Sequence, residues 1–511
     1  MSNSFADIVL YSWPIVVYIL FQRLPLREAL VWSIVAGYLL LPLRTGFDLP
    51  ALPPVDKNLI PALMAALMCY LVTRQAKTAH AVAQRAGSEG VARKMTVAPP
   101  ISFEPVRGQW LFRGLVILLF VPPFITALTN AEPIIQGARF ISGLSLYDAL
   151  SMNSEILFSL IPFFLARRFL ASDEAHRVLL KVIVIAALGY SLLALYEVRM
   201  SPQLNRTFYG FFPHSFIQHM RGDGFRPLVF LNHGLWLAIF FALSVVSAFA
   251  LFKATKTRNK PLWFMAGLWL FMVLFLMKSL GAFALTLLVV PGVLFLSRKT
   301  QLLMVACLAL FVLLFPFART SGLVPLTPIQ NLAESINPAR AQSLNYRLNN
   351  EDILLAKASQ KPLFGWGGWG RGRVYNESGQ DISTTDGYWI IIKGTYGWFG
   401  YLGRFGLLCL PLIIIGFMLR RLEFSYATTG LAMAMSVGIV DLIPNGTISP
   451  VLWLVAGAIM GRYQTVRGAV TAKIAADRKP QNRAQGALGP ETLPTDTGYA
   501  RPLHTRQPRR S

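Results

Sequence analysis

Long apolar runs recur along this 511-residue chain, at residues 8–21, 29–43, 60–72, 110–128, 149–165, 178–196, 229–252, 262–277, 282–296, 302–317, 398–419, 427–442 and 450–460. A helix of roughly 17 to 25 apolar residues crosses about 30 Å of hydrocarbon while satisfying all its backbone polar groups internally. The shorter runs can span by tilting or by pairing as hairpins. The expectation is an all-α polytopic membrane bundle of about 11 to 13 transmembrane helices. Composition agrees, with 54% hydrophobic and only 14% charged residues and a mean hydropathy of +0.50. The first run lacks a preceding basic segment, and Arg23 follows it, so it reads as a first span rather than a cleaved signal.

A net charge of +24 would suggest nucleic acid in a soluble protein. Here the cations fall in every second connection, which is the positive-inside pattern, and no nucleic-acid module is recognisable. Arg23 and Arg27, the basic segment 74–108, Arg167, Arg168 and Arg177, the Lys253–Lys260 cluster, Arg298 and Lys299, and Arg420 and Arg421 occupy those connections. These loops should be cytoplasmic, with the N-terminus periplasmic and the C-terminus cytoplasmic. The arginine-rich tail 463–511, poor in aromatics, is expected to be disordered. The chain therefore divides into N-terminal spans 1–196, a second membrane region 197–462 and that tail. Cys69, Cys307 and Cys409 all lie in apolar runs and suggest neither disulfide nor zinc chemistry.

Two outward connections are long, 197–228 and 318–387, and the second contains "KPLFGWGGWGRGRVYNESGQDISTTDGYWIIIKGTYGWFG". Arg221 is followed by a Gly224-bearing turn and by Asn232 at the next span; Arg347 precedes Pro362, Leu363 and Gly365; and Asp386 precedes Tyr388 and a Gly397-x-x-Gly400 helix entry. In order, spacing and sidedness, residues 197–419 resemble the O-antigen ligase and polymerase superfamily of bacterial inner-membrane proteins. That resemblance implies transfer of glycans from undecaprenyl diphosphate at the periplasmic face, in surface polysaccharide synthesis, alongside assembly proteins such as a chain-length regulator. It implies no cofactor. Ligases of this superfamily carry histidine at or beside the position of Asp386, whereas polymerases often carry aspartate, so the pattern leans toward a polymerase.

The chemistry needs fixed cations against the departing diphosphate, and arginine grips two phosphate oxygens at once. Arg221 and Arg347 are the leading diphosphate ligands, with Arg226, Lys278, Arg371 and Arg373 behind them and Asn232 and Tyr388 as further substrate contacts. Pairing of Arg221 with Asp223 and snorkelling of Lys278 are the structural alternatives. Arg371 and Arg373 are expected in solvent. Asp386 is placed to take the acceptor hydroxyl's proton, although "TTDG" also suits a helix N-cap. His233 is the other candidate base, or else an interfacial hydrogen-bonder. No carboxylate or histidine set completes a metal site, so the reaction is expected to be metal-independent. Trp366 and Trp369 could stack on sugars or anchor the loop at headgroups, and the glycines predict a lid over the glycan. A ligase with a different acceptor is the near alternative. A lipid or solute transporter is the distant one, for which Lys393 within a span is the main argument.

Overall fold

The computed structural model describes residues 2–48, 53–85, 109–222, 224–336, 338–420 and 422–487. The fold is the expected all-α bundle, with two small hairpins, Ile134–Gln136 with Arg139–Ile141 and Met220–Arg221 with Gly224–Phe225. The apolar runs fall largely on helices, except that 229–233 precede helix Gly234–Ala254 and 41–43 follow helix Leu26–Leu40. Among the described residues eight helices are long and apolar enough to cross a bilayer, joined by shorter apolar helices at Lys260–Leu276 and Leu280–Phe295. The runs at 29–43, 427–442 and 450–460 fall on Leu26–Leu40, Tyr426–Asp441 and the start of Pro450–Ala487.

Helix Gly234–Ala254 is apolar all round, the pattern of a helix enclosed by others rather than exposed on one face. It packs against Asp173–Met200, Lys260–Leu276, Leu280–Phe295 and Tyr426–Asp441. The last of these is rich in Ala, Gly, Ser and Thr, small residues that let membrane helices approach closely. At Gly430 a methyl group would sit 2.2 Å from Ala250 Cβ, so this crossing admits nothing larger.

The two classes of connection lie at opposite ends of the helices. At the basic end, two cations bond carbonyls in the last turns of neighbouring helices, which carry the negative end of the helix dipole. Arg177 donates to Ala254 O at 3.2 Å, and Lys253 donates to Leu294 O at 2.9 Å. Arg298 donates to Phe424 O at 2.8 Å, and Arg462 pairs with Asp173 at 2.7 Å.

Three expectations change. The helix that opens at Pro450 runs on to Ala487, so the first part of the tail expected to be disordered is helical, while 488–511 lie outside the described residues. The basic segment 74–108 continues helix Leu59–Arg85 through its first part, and its remainder, 86–108, lies outside the described residues. The long connection 318–387 holds two helices, Leu326–Ile336 and Pro338–Ser359, before the glycine-rich segment.

Candidate functional site

The end of the bundle opposite the basic loops is built by residues that fasten irregular backbone to helix termini. Glu197, fully buried in the last turn of Asp173–Met200, accepts from the Leu204, Leu228 and Val229 amides at 2.9, 2.9 and 2.7 Å. It thereby closes the 201–230 connection back onto its own helix. His219, also buried, interacts with Ser215 O through Nδ1 at 3.0 Å and accepts from the Gly234 amide through Nε2 at 3.3 Å. The second bond requires a neutral ring, and burial, reinforced by Arg226, His214 and Arg221, holds His219 down at about 4.

That arrangement gives the site a pH dependence. With a folded value of about 4 against an ordinary 6.5, the opened loop takes up a proton that the closed loop does not. The contribution is complete above pH 6.5 and is lost as pH falls toward 4, by about 1.4 kcal/mol per unit. Amide exchange at Gly234 and Arg226, corrected for intrinsic rates, should show opening easier by about 2 kcal/mol at pH 5 than above pH 6.5. Equal protection at both values, or the same pH response in H219Q, contradicts this.

Met220–Arg221 and Gly224–Phe225 form the hairpin that presents Arg221. Lys278 does not snorkel away. Its Nζ donates to Arg221 O at 2.9 Å while Arg226 donates back to Lys278 O at 3.3 Å, locking the hairpin to the Met277–Ser279 turn. Asp223, the expected partner of Arg221, lies outside the described residues.

Across the site, Arg347 on helix Pro338–Ser359 faces Asp386 with Nε to Oδ2 at 3.6 Å. The same helix is held by Arg319, which pairs with Asp352 at 2.6 Å and Glu351 at 3.6 Å. Asn350 and Tyr346 bond Thr384, each at 2.8 Å, and so fix the segment leading to Asp386. Asp386 does not cap the next helix: Gly387 occupies that position without a side-chain cap. The carboxylate is left to Arg347.

Two chambers meet here. A polar one of about 500 Å³ is lined by Arg221, Arg226, Arg347, Arg373, Asp386 and His233, with Asn232 on its wall. An apolar one of about 1300 Å³ is lined by side chains such as Leu276, Phe283, Leu288 and Phe311. Arg221, Arg226 and Arg347 line both, and Lys278 lines the apolar one. An amphiphile with an anionic junction matches such a space. The leading arginines of the sequence are thus brought together.

His233 is the N-cap of helix Gly234–Ala254, its Nδ1 accepting from the Leu235 amide at 3.0 Å. Burial, with His219 and His214 next, lowers it to about 3, so it is neutral with its remaining N–H on Nε2. In this arrangement Nε2–H is left to donate. Tyr388 is buried and takes a hydrogen bond from Arg404 at 2.7 Å, so it lies inside the bundle and not on either chamber wall. Arg371, expected in solvent, is 2% exposed and donates to Trp366 O, Ser142 O and Glu132 O at 3.2, 2.7 and 2.9 Å. It is a strut between the glycine-rich segment and the hairpin region. Arg373, also expected in solvent, bonds Asp381 at 2.6 Å and joins the polar chamber wall.

The glycine-rich segment has a different role from the expected lid. Helix Tyr388–Ile414 breaks at Gly397, with φ 65° and ψ −163°. The groups freed by the break pair with the segment: Trp366 and Gly367 amides donate to Gly394 O and Thr395 O at 2.8 and 2.9 Å. In return, Trp398 and Phe399 amides donate to Pro362 O and Leu363 O at 2.8 and 3.2 Å. Unpaired backbone in a buried helix is costly, and a break there persists where other groups satisfy it. Trp366 takes part in this brace, its Nε1 donating to Lys357 O at 2.8 Å and its ring covered by Lys357 and Lys361 at 3.7 and 4.7 Å.

Sequence reasoning missed Asp441 and Asn445, which are joined at 2.7 Å, the first on the apolar chamber wall and the second on both. A carboxylate closing an apolar run in "GIVDLIPNG" was the available signal. Glu197 and His219 were missed as well, since their partners are backbone amides remote in sequence. No family model matches the sequence, and no curated protein matches it.

Proposed function

We propose that the protein is a glycan polymerase of a bacterial inner membrane, acting on lipid-diphosphate-linked oligosaccharides at the periplasmic face. What carries the reading is that Arg221, Arg226 and Arg347 stand on the boundary shared by an apolar and a polar chamber. A polyprenyl diphosphate glycan has the same three parts in the same order: tail, diphosphate, sugar. The tail lies in the apolar chamber, the diphosphate against the guanidinium groups, and the first sugar in the polar chamber. The alternating cations favour this end facing outward.

In the reaction the bond from anomeric carbon to diphosphate oxygen breaks, and its electron pair leaves with the diphosphate. The acceptor hydroxyl oxygen bonds the anomeric carbon, and its proton passes to Asp386. Preorganised arginines stabilise the charge that develops on the leaving group, the kind of term that dominates many enzymatic rate enhancements. His233 Nε2–H and Asn232 offer orienting hydrogen bonds to the sugar.

Purified protein in liposomes, given only a lipid-diphosphate oligosaccharide, should yield longer lipid-linked glycans and free polyprenyl diphosphate. A ligase would need a second acceptor before any product formed, so strict dependence on an added acceptor turns the reading to ligase. Movement of intact glycolipid without transfer would mark a transporter. The helix break and Lys393 favour that last reading least, because the break is filled by the chain's own backbone and Lys393 is buried against Trp398 and Thr320.

A further inference from the structure

The two tryptophans of the glycine-rich segment are used differently. Trp366 is consumed by the brace, whereas Trp369 is 53% exposed and sits at φ 52°, a conformation that is a genuine outlier for a bulky residue. Gly368 and Gly370 flank it, so a glycine at 369 would meet the backbone demand without strain. Strain retained in a large exposed side chain is found at ligand sites more than in scaffolding.

A small chamber of about 170 Å³ lies beside this indole. Its wall is part glycine backbone, from Gly368, Gly370 and Gly394, and part side chain, from Leu354, Ile390 and Thr395, whose hydroxyl donates to Ile391 O at 2.8 Å and can still accept. Arg373, Thr385 and Ile391 line it and the polar chamber alike, so the two adjoin. The combination of an aromatic face, a hydroxyl, a guanidinium and close-approaching glycine backbone suits a ring that is apolar on one face and hydroxylated at its edge.

We propose that this chamber is a sugar subsite that takes one pyranose ring of the acceptor glycan, stacked on Trp369 with Arg373 and the threonines at its hydroxyls. The proposal rests on the transferase reading of the adjoining arginines. The diphosphate is bound in the first chamber, and the acceptor chain enters past Trp369, with its terminal hydroxyl directed through the Arg373–Thr385 boundary toward Asp386.

Gly394 makes the test clean. It is a buried helical residue lining the chamber, yet a methyl group placed on it would meet nothing within 4 Å, so that methyl enters the chamber itself. Alanine also favours helix over glycine, so Gly394→Ala fills the subsite without weakening the fold. The probe is the repeat-unit oligosaccharide prepared from the source organism's surface polysaccharide, free of lipid and phosphate, titrated by saturation-transfer NMR onto full-length protein in nanodiscs. Wild type and W369F should bind it, and W369A and G394A at least tenfold more weakly. Equal binding by W369A and G394A overturns the subsite, as does the absence of binding to wild type. The liposome elongation assay is independent of this titration, so failure of the subsite and failure of the transferase reading are seen separately.

Discussion

Arg347→Ala and Arg221→Ala should each lower glycan transfer by about 10²- to 10³-fold, the usual loss when one preorganised donor to a developing anion is removed. Both residues line the boundary between the chambers, where low polarity on one side magnifies their effect. Lysine at either position should recover only part of the loss, since a point charge cannot grip two phosphate oxygens. Arg347→Ala also strips Asp386 of its facing cation. Its effect should therefore combine less than additively with that of Asp386→Asn. Single-turnover transfer by reconstituted variants measures this; near wild-type rates for both alanine variants would remove the arginines from the mechanism.

Gly397→Ala should unfold the region around the helix break. Its φ 65°, ψ −163° conformation belongs almost exclusively to glycine, and strain of this kind costs about 1–3 kcal/mol. A Cβ there would also lie 2.2 Å from Leu363 carbonyl carbon and oxygen, forcing the brace apart. The backbone bonds between the segment and the helix break would then be lost in a buried stretch, where each unsatisfied group costs about 1–3 kcal/mol. The expected result is loss of folded protein in detergent extracts and protease cleavage within 360–387, while Gly394→Ala, three residues away, extracts and melts as wild type. A Gly397→Ala protein with unchanged melting and protection would show that the brace contributes little.

The helices were legible in the sequence because burying apolar length in a bilayer leaves a one-dimensional record, and the cations record which connections share an end. Arg221, Arg226, Arg347, Asn232 and Asp386 were legible as polar residues near span entrances, and they converge on one chamber. Illegible were interactions between backbone and distant side chains. Nothing in "WGRGR" distinguishes buried Arg371 from Arg373, since the carbonyls of Ser142 and Glu132 that bury the former lie more than 200 residues away. The docking of Pro362–Gly367 onto the helix break rests largely on backbone bonds, with Phe364 stacked on Phe399, and its glycines equally suit a mobile lid. The cap bond of His233, which commits Nδ1, was not legible because it depends on local geometry rather than residue type.

The account turns on arginines receiving a lipid diphosphate where the apolar and polar chambers meet. Its most direct measurement is the affinity of the nanodisc-embedded protein for polyprenyl diphosphate compared with the uncharged polyprenol of the same length. Wild type should prefer the diphosphate strongly, and the R221A/R347A double variant should bind the two lipids alike. Equal affinity for both lipids in wild type, or an undiminished preference in the double variant, would contradict it.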